Sequence, residues 1–239
     1  MGERSDARGD LRHELKFVAD EAFAAGLRMW LRLDRSGIRR LFAPRRVQSL
    51  YLDTTYQRAL ADNLAGLSER EKLRFRWYGD SAALVRGALE RKRRENTLGW
   101  KQTCAVDEPL AVEGAERHRF MAELARRVQA EWRERLLAGL EPAQWVSYRR
   151  EYYTSADRRV RLTLDTELRF SDQRLRGRLS SAARTPMPRY LVLELKCAPE
   201  DIDAAHDIAS RLPIPIGRCS KYALAHDAAH GPLSSLRAV

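Results

Sequence analysis

Residues 72–77 of the chain read Lys-Leu-Arg-Phe-Arg-Trp, and this alternation of charged and apolar side chains decides the fold. Successive side chains of a β-strand point to opposite faces, so Lys72, Arg74 and Arg76 share one face and the apolar residues share the other. Three cations together on one face of an ordinary sheet are destabilising. The pattern therefore predicts a strand whose charged face has a function, namely anion binding.

Five further segments alternate in the same way: residues 12–17, 89–94, 148–152, 159–167 and 192–196. In three of them an acid precedes a lysine by two residues, which places both on the same face of one strand. These pairs are Glu14 with Lys16, Glu90 with Lys92, and Glu194 with Lys196. Across the six segments the polar face carries almost only Arg, Lys, Glu and Asp.

Any one of these segments would suit an ordinary antiparallel sheet with one solvated face. A solvated face, however, usually mixes charges with Ser, Thr, Asn and Gln, and outer helices would need an apolar surface to cover. We therefore predict an α+β fold in which a closed antiparallel β-barrel has a charged lumen and helices packed outside. Closure also removes exposed strand edges. A lumen so rich in cations must hold an anion, because like charges at such range repel.

Hydrophobic residues at three- and four-residue steps predict two long helices, over residues 19–33 and 116–138. Shorter helices are predicted over residues 55–64, 201–211 and 220–229, and a loop over 171–188. There is no internal repeat and no clear linker. We expect a single domain over residues 11–227, with flexible tails at 1–10 and 228–239.

Composition narrows the class of protein. The 239 residues include 44 Lys and Arg against 33 Asp and Glu, a net charge of +11 that favours a polyanionic partner. With 44% hydrophobic residues the chain can bury a core. The longest apolar runs are too short to span a membrane, and the charged N-terminus does not resemble a secretory signal. Three dispersed cysteines, Cys104, Cys197 and Cys219, fit core thiols in a reducing cytoplasmic compartment.

Motif searches exclude several site classes. The chain has no glycine-rich phosphate loop, no HExxH zinc motif and no GxSxG nucleophile elbow. Nucleic acid is also disfavoured, because Phe17, Phe75 and Trp77 alternate with the charges and so cannot stack on what the charges bind.

Nine segments, in order along about 210 residues, resemble the vacuolar transporter chaperone (VTC) domain, the polyphosphate polymerase branch of the CYTH-like triphosphate tunnel metalloenzymes. They are RHELKF at 12–17, SLYLDT at 49–54, KLRFRWYG at 72–79, LERKRR at 89–94, Lys101, SYRREYY at 147–153, VRLTLD at 160–165, LVLELK at 191–196 and CSKYALA at 219–225. The broader superfamily opens with ExExK, whereas this chain has Arg12 at the first of these positions, which favours the VTC branch.

The resemblance implies an eight-stranded tunnel that binds ATP, polyphosphate and a divalent metal, Mn²⁺ or Mg²⁺. Carried over position by position, the residues acting on the transferred phosphoryl group would be Arg74, Arg76, Lys92, Arg150, Arg161 and Lys221. Further phosphate contacts would come from Lys16, Lys101, Tyr148 and Ser220, and the strand patterns add Lys72 and Lys196. Glu194 matches the family's metal ligand. Glu14 and Glu90 fit a metal ligand, a general base or a partner that orients Lys16 or Lys92.

The leading hypothesis is a cytoplasmic ATP–polyphosphate phosphotransferase that moves the γ-phosphoryl group to a polyphosphate chain and releases ADP. One alternative is a triphosphatase or nucleoside triphosphate hydrolase of the same fold. Another is a non-catalytic module that binds polyphosphate. Two positions depart from the family pattern: Asn63 stands where a basic residue is expected, and Thr103 stands where relatives often have Arg. Fewer basic contacts there imply weaker chain binding or an altered substrate.

Overall fold

The computed structural model describes residues 12–95, 98–182, 189–217 and 220–230. The predicted tail at 1–10 lies outside the described residues, as do Cys219 and residues 231–239 of the predicted tail at 228–239. Residues 228–230 of that tail belong instead to the last helix. Eight strands and six α-helices make up the described chain. In chain order they are β1 (His13–Asp20), α1 (Ala24–Leu33), β2 (Arg39–Thr54), α2 (Arg58–Leu64), β3 (Glu69–Tyr78), β4 (Leu84–Glu95), β5 (Leu98–Ala111), α3 (Arg117–Arg126), α4 (Ala130–Leu137), β6 (Leu140–Thr154), β7 (Val160–Asp172), β8 (Tyr190–Cys197), α5 (Ile202–Ser210) and α6 (Lys221–His230).

The strands form one antiparallel sheet in the order β1-β8-β7-β6-β2-β3-β4-β5. The α+β class and the eight strands are confirmed, but the prediction of a closed barrel is wrong: the sheet is curled, and backbone hydrogen bonds do not join β1 to β5. The reason lies at the free edge of β1. Phe17 pairs there with Ile216, and the Gly217 N–H donates to the Lys16 carbonyl at 2.8 Å. This segment occupies the edge that β5 would need.

The curl nevertheless brings the two ends of the sheet together on its charged side. Lys92 Nζ of β4 lies 2.8 Å from Glu14 Oε2 of β1, although β1 and β4 are far apart in the strand order. The charged side of the sheet is therefore the concave one, and we call it the lumen face. Side chains, rather than a backbone ladder, close the lumen at this point.

The opposite, convex face is apolar and is covered by helices, as predicted. Phe75, Trp77 and Leu89 are fully buried there under α3 and α4, and Leu193 and Leu195 are buried in a second cluster with α1 and α5. The thiols of Cys104 and Cys197 are buried in these clusters. Because Phe17, Phe75 and Trp77 all lie on this face, they cannot stack on a ligand in the lumen.

The helix predicted over 116–138 is divided into α3 and α4, so the prediction of one continuous helix is wrong. Gln129, the residue before α4, has an extended backbone (φ −63°, ψ 158°), which ends the first helix and redirects the second. The break lets Leu124 of α3 and Trp132 of α4 both pack on the same apolar cluster. The other predicted helices are confirmed in position, with starts up to five residues later.

Helix α6 packs into one part of the lumen face. Tyr222 stacks on Tyr51 of β2 with ring centroids 4.9 Å apart and donates a hydrogen bond to Asp53 at 2.7 Å. Tyr222 and Leu224 belong to an apolar cluster with lumen-face residues such as Val146. This part of the lumen is therefore filled, and the charged part begins where α6 begins. In the described residues no helix is both long and apolar enough to cross a membrane.

Candidate anion-binding lumen

The strand registers place the predicted phosphate-binding residues on one face. Lys72 pairs with Lys92, which pairs with Lys101, while Arg74 pairs with both Tyr51 and Glu90. At the other end of the strand order, on the same face, Lys16 pairs with Glu194 and Glu14 pairs with Lys196. Residues that are far apart in sequence thus come together because antiparallel partners in register point to the same side.

Glu194 is the most heavily surrounded acid of the lumen, and its side chain is only 8% exposed. Four basic groups lie within ion-pair distance of it: Lys196 at 3.0 Å, Lys221 at 3.1 Å, Arg150 at 3.7 Å and Lys16 at 3.8 Å. Burial by itself would raise the pKa of Glu194, but these cations outweigh it and hold the pKa well below its usual value. Glu194 is therefore a permanent anion that gathers cations from β1, β6, β8 and α6.

Glu90 gathers a second group of cations. Arg74 donates to Glu90 Oε2 through Nε at 2.9 Å and Nη2 at 2.6 Å, while Arg76 Nη1 lies 3.3 Å away and Lys101 Nζ 3.2 Å away. Burial opposes ionisation of Glu90, yet Arg74 and Arg76 lower its pKa below the usual range. The two arginines are thereby fixed in place, and Arg76 also donates to the Tyr148 hydroxyl at 3.0 Å.

Asp165 and Tyr148 hold the basic side chains of Arg150 and Lys221 in the buried part of the lumen. Asp165 is fully buried and receives two 2.6 Å hydrogen bonds from Arg150, and Lys221 Nζ lies 2.7 Å from it. The Tyr148 ring has Arg150 and Lys221 over it, at 5.1 and 5.0 Å from the ring centroid. Burial would raise the pKa of Tyr148, but Arg150 and Arg76 lower it instead. Asp165 thus orients the basic residues of this part of the lumen, a role that strand alternation alone left open.

Lys72 differs from the other basic residues of the lumen because, in the described part of the chain, no carboxylate pairs with it. Its Nζ donates to Ser220 Oγ at 2.7 Å, at the start of α6. Burial lowers its pKa well below the ordinary lysine value, and the neighbouring Lys16 and Lys92 lower it further. Burial and Lys16 likewise lower the pKa of Lys92 to about 8, despite the opposing effect of Glu14. Lys16, Lys72 and Lys92 thus form a cationic site in which Glu14 pairs with Lys16 and Lys92, while Lys72 bonds to Ser220 instead of a described carboxylate.

Arg161 stands apart from these groups. It pairs with Lys196 across β7 and β8, so it shares the lumen face, but its side chain is exposed. The structure thus brings the other predicted phosphate-binding residues together in the lumen and leaves Arg161 at its rim. Lys72 and Ser220 bond to each other, and the remaining residues share the four carboxylates and Tyr148 as partners. The sequence patterns left the role of Asp165 open and gave Tyr51 only a part in shaping the fold; the Tyr51 hydroxyl accepts from Arg74 at 3.2 Å. Both lie at lumen-face positions by strand parity, the signal that could have identified them.

The three predicted metal ligands do not converge. Glu14 and Glu194 share Lys16 and Lys196 as partners, whereas Glu90 lies with the arginines. Across the described ranges of the chain no group of three His, Cys, Asp or Glu side chains is arranged as a metal site. Mg²⁺ is often held by one or two carboxylates and substrate phosphates. Glu14 and Glu194 fit such an ion only together with phosphate oxygens.

The lysine site leads to a prediction for proton uptake. At pH 8.5 a bound triphosphate should draw protons onto Lys72 and Lys92, because an adjacent anion raises the lowered pKa of each lysine. We expect triphosphate binding to take up more protons than it does in the Lys72→Met variant, and to weaken as the pH rises from 7 to 9. Calorimetry in buffers of different ionisation enthalpy measures this uptake. Equal uptake by the two proteins would contradict the assignment.

The chain is similar to one protein family and to solved structures. A family model described as the VTC domain matches residues 14–230. No curated protein matches the chain. Among solved structures, a Vibrio parahaemolyticus protein described as a "putative adenylate cyclase" is 12% identical with a TM-score of 0.51, over 92% of this chain and 99% of that chain. A chain of the Schizosaccharomyces pombe Mediator head module is 10% identical with a TM-score of 0.47, over 87% and 98%. The first of these likenesses shows a similar fold and nothing more.

Proposed function

The chain belongs to the VTC domain family, as its motifs predicted, and from that premise we propose that it is a metal-dependent ATP–polyphosphate phosphotransferase. In this proposal the γ-phosphoryl group of ATP passes to the end of a polyphosphate chain within the lumen, and ADP is released. In the described residues, the hydrogen bonds and ion pairs given above for the lumen involve nine basic side chains and four carboxylates. This cationic excess suits a substrate with several negative charges, such as a triphosphate or polyphosphate.

The observation that carries the proposal is that the four carboxylates of the lumen are ionised and in contact with cations. Glu14, Glu90, Asp165 and Glu194 each lie against at least two cations. Burial opposes their ionisation, but the neighbouring cations lower the pKa of every one. A general base works best with a pKa near the working pH, so these carboxylates are poor bases for activating water. The terminal phosphate of a polyphosphate is already ionised and needs no base, which favours transfer to phosphate over hydrolysis.

The basic residues would act by position and charge. Arg74 and Arg76 provide planar, permanently charged groups that bind phosphate in a bidentate manner, whereas Lys16, Lys72 and Lys92 are point charges that suit successive phosphates of a chain. Phosphoryl transfer depends mainly on alignment and charge neutralisation, so no side-chain nucleophile is needed. Glu14 and Glu194 would hold a divalent ion, which would supply further positive charge to the substrate phosphates.

The direct test is incubation of the protein with ATP and Mn²⁺ or Mg²⁺, with products resolved on a gel. We expect ADP together with phosphate polymers longer than the donor's own chain, at a rate that depends on the metal. Free phosphate as the main product would replace the proposal with the hydrolase, and tight polyphosphate binding without turnover would replace it with the binding module.

A further inference from the structure

A β-bulge in β2 changes which side chains reach the lumen at one end of the sheet. Phe42 pairs with Tyr152 and Arg45 pairs with Arg150, so three residue steps on β2 match two on β6, with a register shift between the two pairs. Strict alternation would put Phe42 and Arg45 on opposite faces. The extra residue, next to Pro44, lets both face the lumen side, since bulges re-aim side chains and accommodate proline.

The bulge assembles a group that we call the mouth cluster: Phe42, Arg45, Tyr78 and Tyr152. The Arg45 guanidinium lies over the Tyr78 ring at 4.6 Å and over the Tyr152 ring at 5.0 Å from their centroids. Its Nε donates to the Tyr152 hydroxyl at 3.1 Å, and Phe42 packs edge-on against Tyr152 with centroids 5.8 Å apart. Tyr78 is 53% exposed and Phe42 is 54% exposed. The solvent-exposed rings of Phe42 and Tyr78 therefore lie beside the guanidinium group of Arg45, whose position the two tyrosines fix.

The charge on Arg45 is available to a ligand. In the described part of the chain Arg45 makes no ion pair, whereas the next residue, Arg46, binds both Asp80 and Glu167. Cation–π contacts hold the Arg45 guanidinium without neutralising it. A ligand that combines a flat aromatic ring with a negative group would therefore find both a stacking surface and a cation here.

The mouth cluster lies next to the phosphate-binding residues on the same strands. Tyr78 lies two residues beyond Arg76 on β3, and Tyr152 lies two residues beyond Arg150 on β6. Two residues of a strand span about 7 Å, so each tyrosine is one side-chain position further out on the same face. A ring bound at the cluster would therefore have its attached phosphates within reach of Arg76 and Arg150.

We propose that the mouth cluster binds the nucleobase of the donor nucleoside triphosphate while its phosphates enter the lumen. This inference rests on the proposed function, because it assumes that a nucleotide is the donor. An inorganic polyphosphate has no ring, so the aromatic part of the cluster serves the nucleotide alone. Base–aromatic stacking tolerates different bases because each base has a π-face.

The test compares two ligands on matched variants by calorimetry without metal: ATP, and inorganic triphosphate. In the Phe42→Ala/Tyr78→Leu double variant we expect ATP affinity to fall at least about fivefold, in line with the loss of one stacked base, and triphosphate affinity to stay unchanged. Tyr56→Leu is the control, because Tyr56 is 93% exposed and follows the opposite end of β2. It should leave both affinities unchanged. Phe42→Ala alone serves as a second variant if the double variant fails to fold.

The remaining outcomes overturn the inference in distinguishable ways. Unchanged ATP affinity in the variants would remove the nucleobase from the cluster while leaving the phosphate site intact. Equal loss of ATP and triphosphate would show that the cluster supports the lumen rather than a base. If the unaltered protein binds neither ligand, the proposed function falls and the inference falls with it.

Discussion

Replacing Arg74 and Arg76 together with alanine is expected to abolish nucleotide turnover, with a loss of at least about a thousandfold. The expected size of this loss follows from other phosphoryl-transfer enzymes. In them, an arginine that neutralises the transferring phosphoryl group raises the rate by a factor of about 10³ to 10⁵. Both guanidinium groups are held at Glu90, and Arg76 also contacts Tyr148 and Ser49. Their alignment is therefore present before any ligand arrives. Steady-state release of ADP measures the effect.

The same contacts predict a cost in stability that must be separated from the loss of activity. Without the arginines, the half-exposed Lys101 is the one ion-pair partner that Glu90 retains among the described residues. Breaking a buried charge pair in this way costs about 3–5 kcal/mol. Adding Glu90→Gln to the double variant removes the stranded charge, so the triple variant should recover stability but not activity.

A matched control lies on the adjacent strand. Arg91 and Arg93 of β4 alternate with Lys92 and so lie on the convex face, where Arg91 binds Glu71 and Arg93 lies over Trp100. Arg91→Ala/Arg93→Ala makes the same change in net charge and should leave turnover within a fewfold of the unaltered protein. Normal activity in a folded Arg74→Ala/Arg76→Ala variant would contradict the assignment of the lumen.

The second large effect is expected for Glu194→Gln. This change keeps the size of the side chain but removes the charge that holds Lys16, Lys196, Lys221 and Arg150 together. We expect the free energy of unfolding to fall by about 3–5 kcal/mol, the range for removing one partner from a buried ionic group. Bound triphosphate should restore part of it, because the ligand supplies the missing negative charge. Chemical denaturation with and without triphosphate measures both values.

The same variant separates a metal ligand from a residue that only positions lysines. If Glu194 holds a divalent ion, the Mn²⁺ midpoint for activity should rise about tenfold or more. Triphosphate binding without metal should survive or tighten, since one anion has left the neighbourhood of another. Weakened triphosphate binding with an unchanged midpoint would leave Glu14 as the candidate ligand. Glu108→Gln is the control, because Glu108 is 76% exposed and its ion pair in the described chain is with Arg127, the residue after α3, far from Glu194 in the sheet.

The elements with a strong local repeat were predictable from the sequence. Period-two alternation is a property of neighbouring residues, so residues 72–77 revealed both the strand and the face on which Arg74 and Arg76 lie. Alternation in residues 192–196 likewise predicted that Glu194 and Lys196 lie on the charged face of their strand. Strand β5 was not recognised by its pattern, because the lumen-face positions Thr103 and Ala105 are small and uncharged, and Gln102 is polar on the opposite face. A strand whose two faces differ little gives no periodic signal.

The sequence by itself determined that a charged face exists and which residues occupy it, because parity along a strand is local. Only the tertiary structure decided how those residues pair. Glu14 meets Lys92, and Lys72 meets Ser220, through the curl of the sheet and the docking of α6. The same holds for the pairing of Ile216 with Phe17 at the edge of β1 and for the bulge beside Pro44 that turns Phe42 toward the lumen. Register, closure and bulges depend on contacts between distant segments, and no window of neighbouring residues contains them.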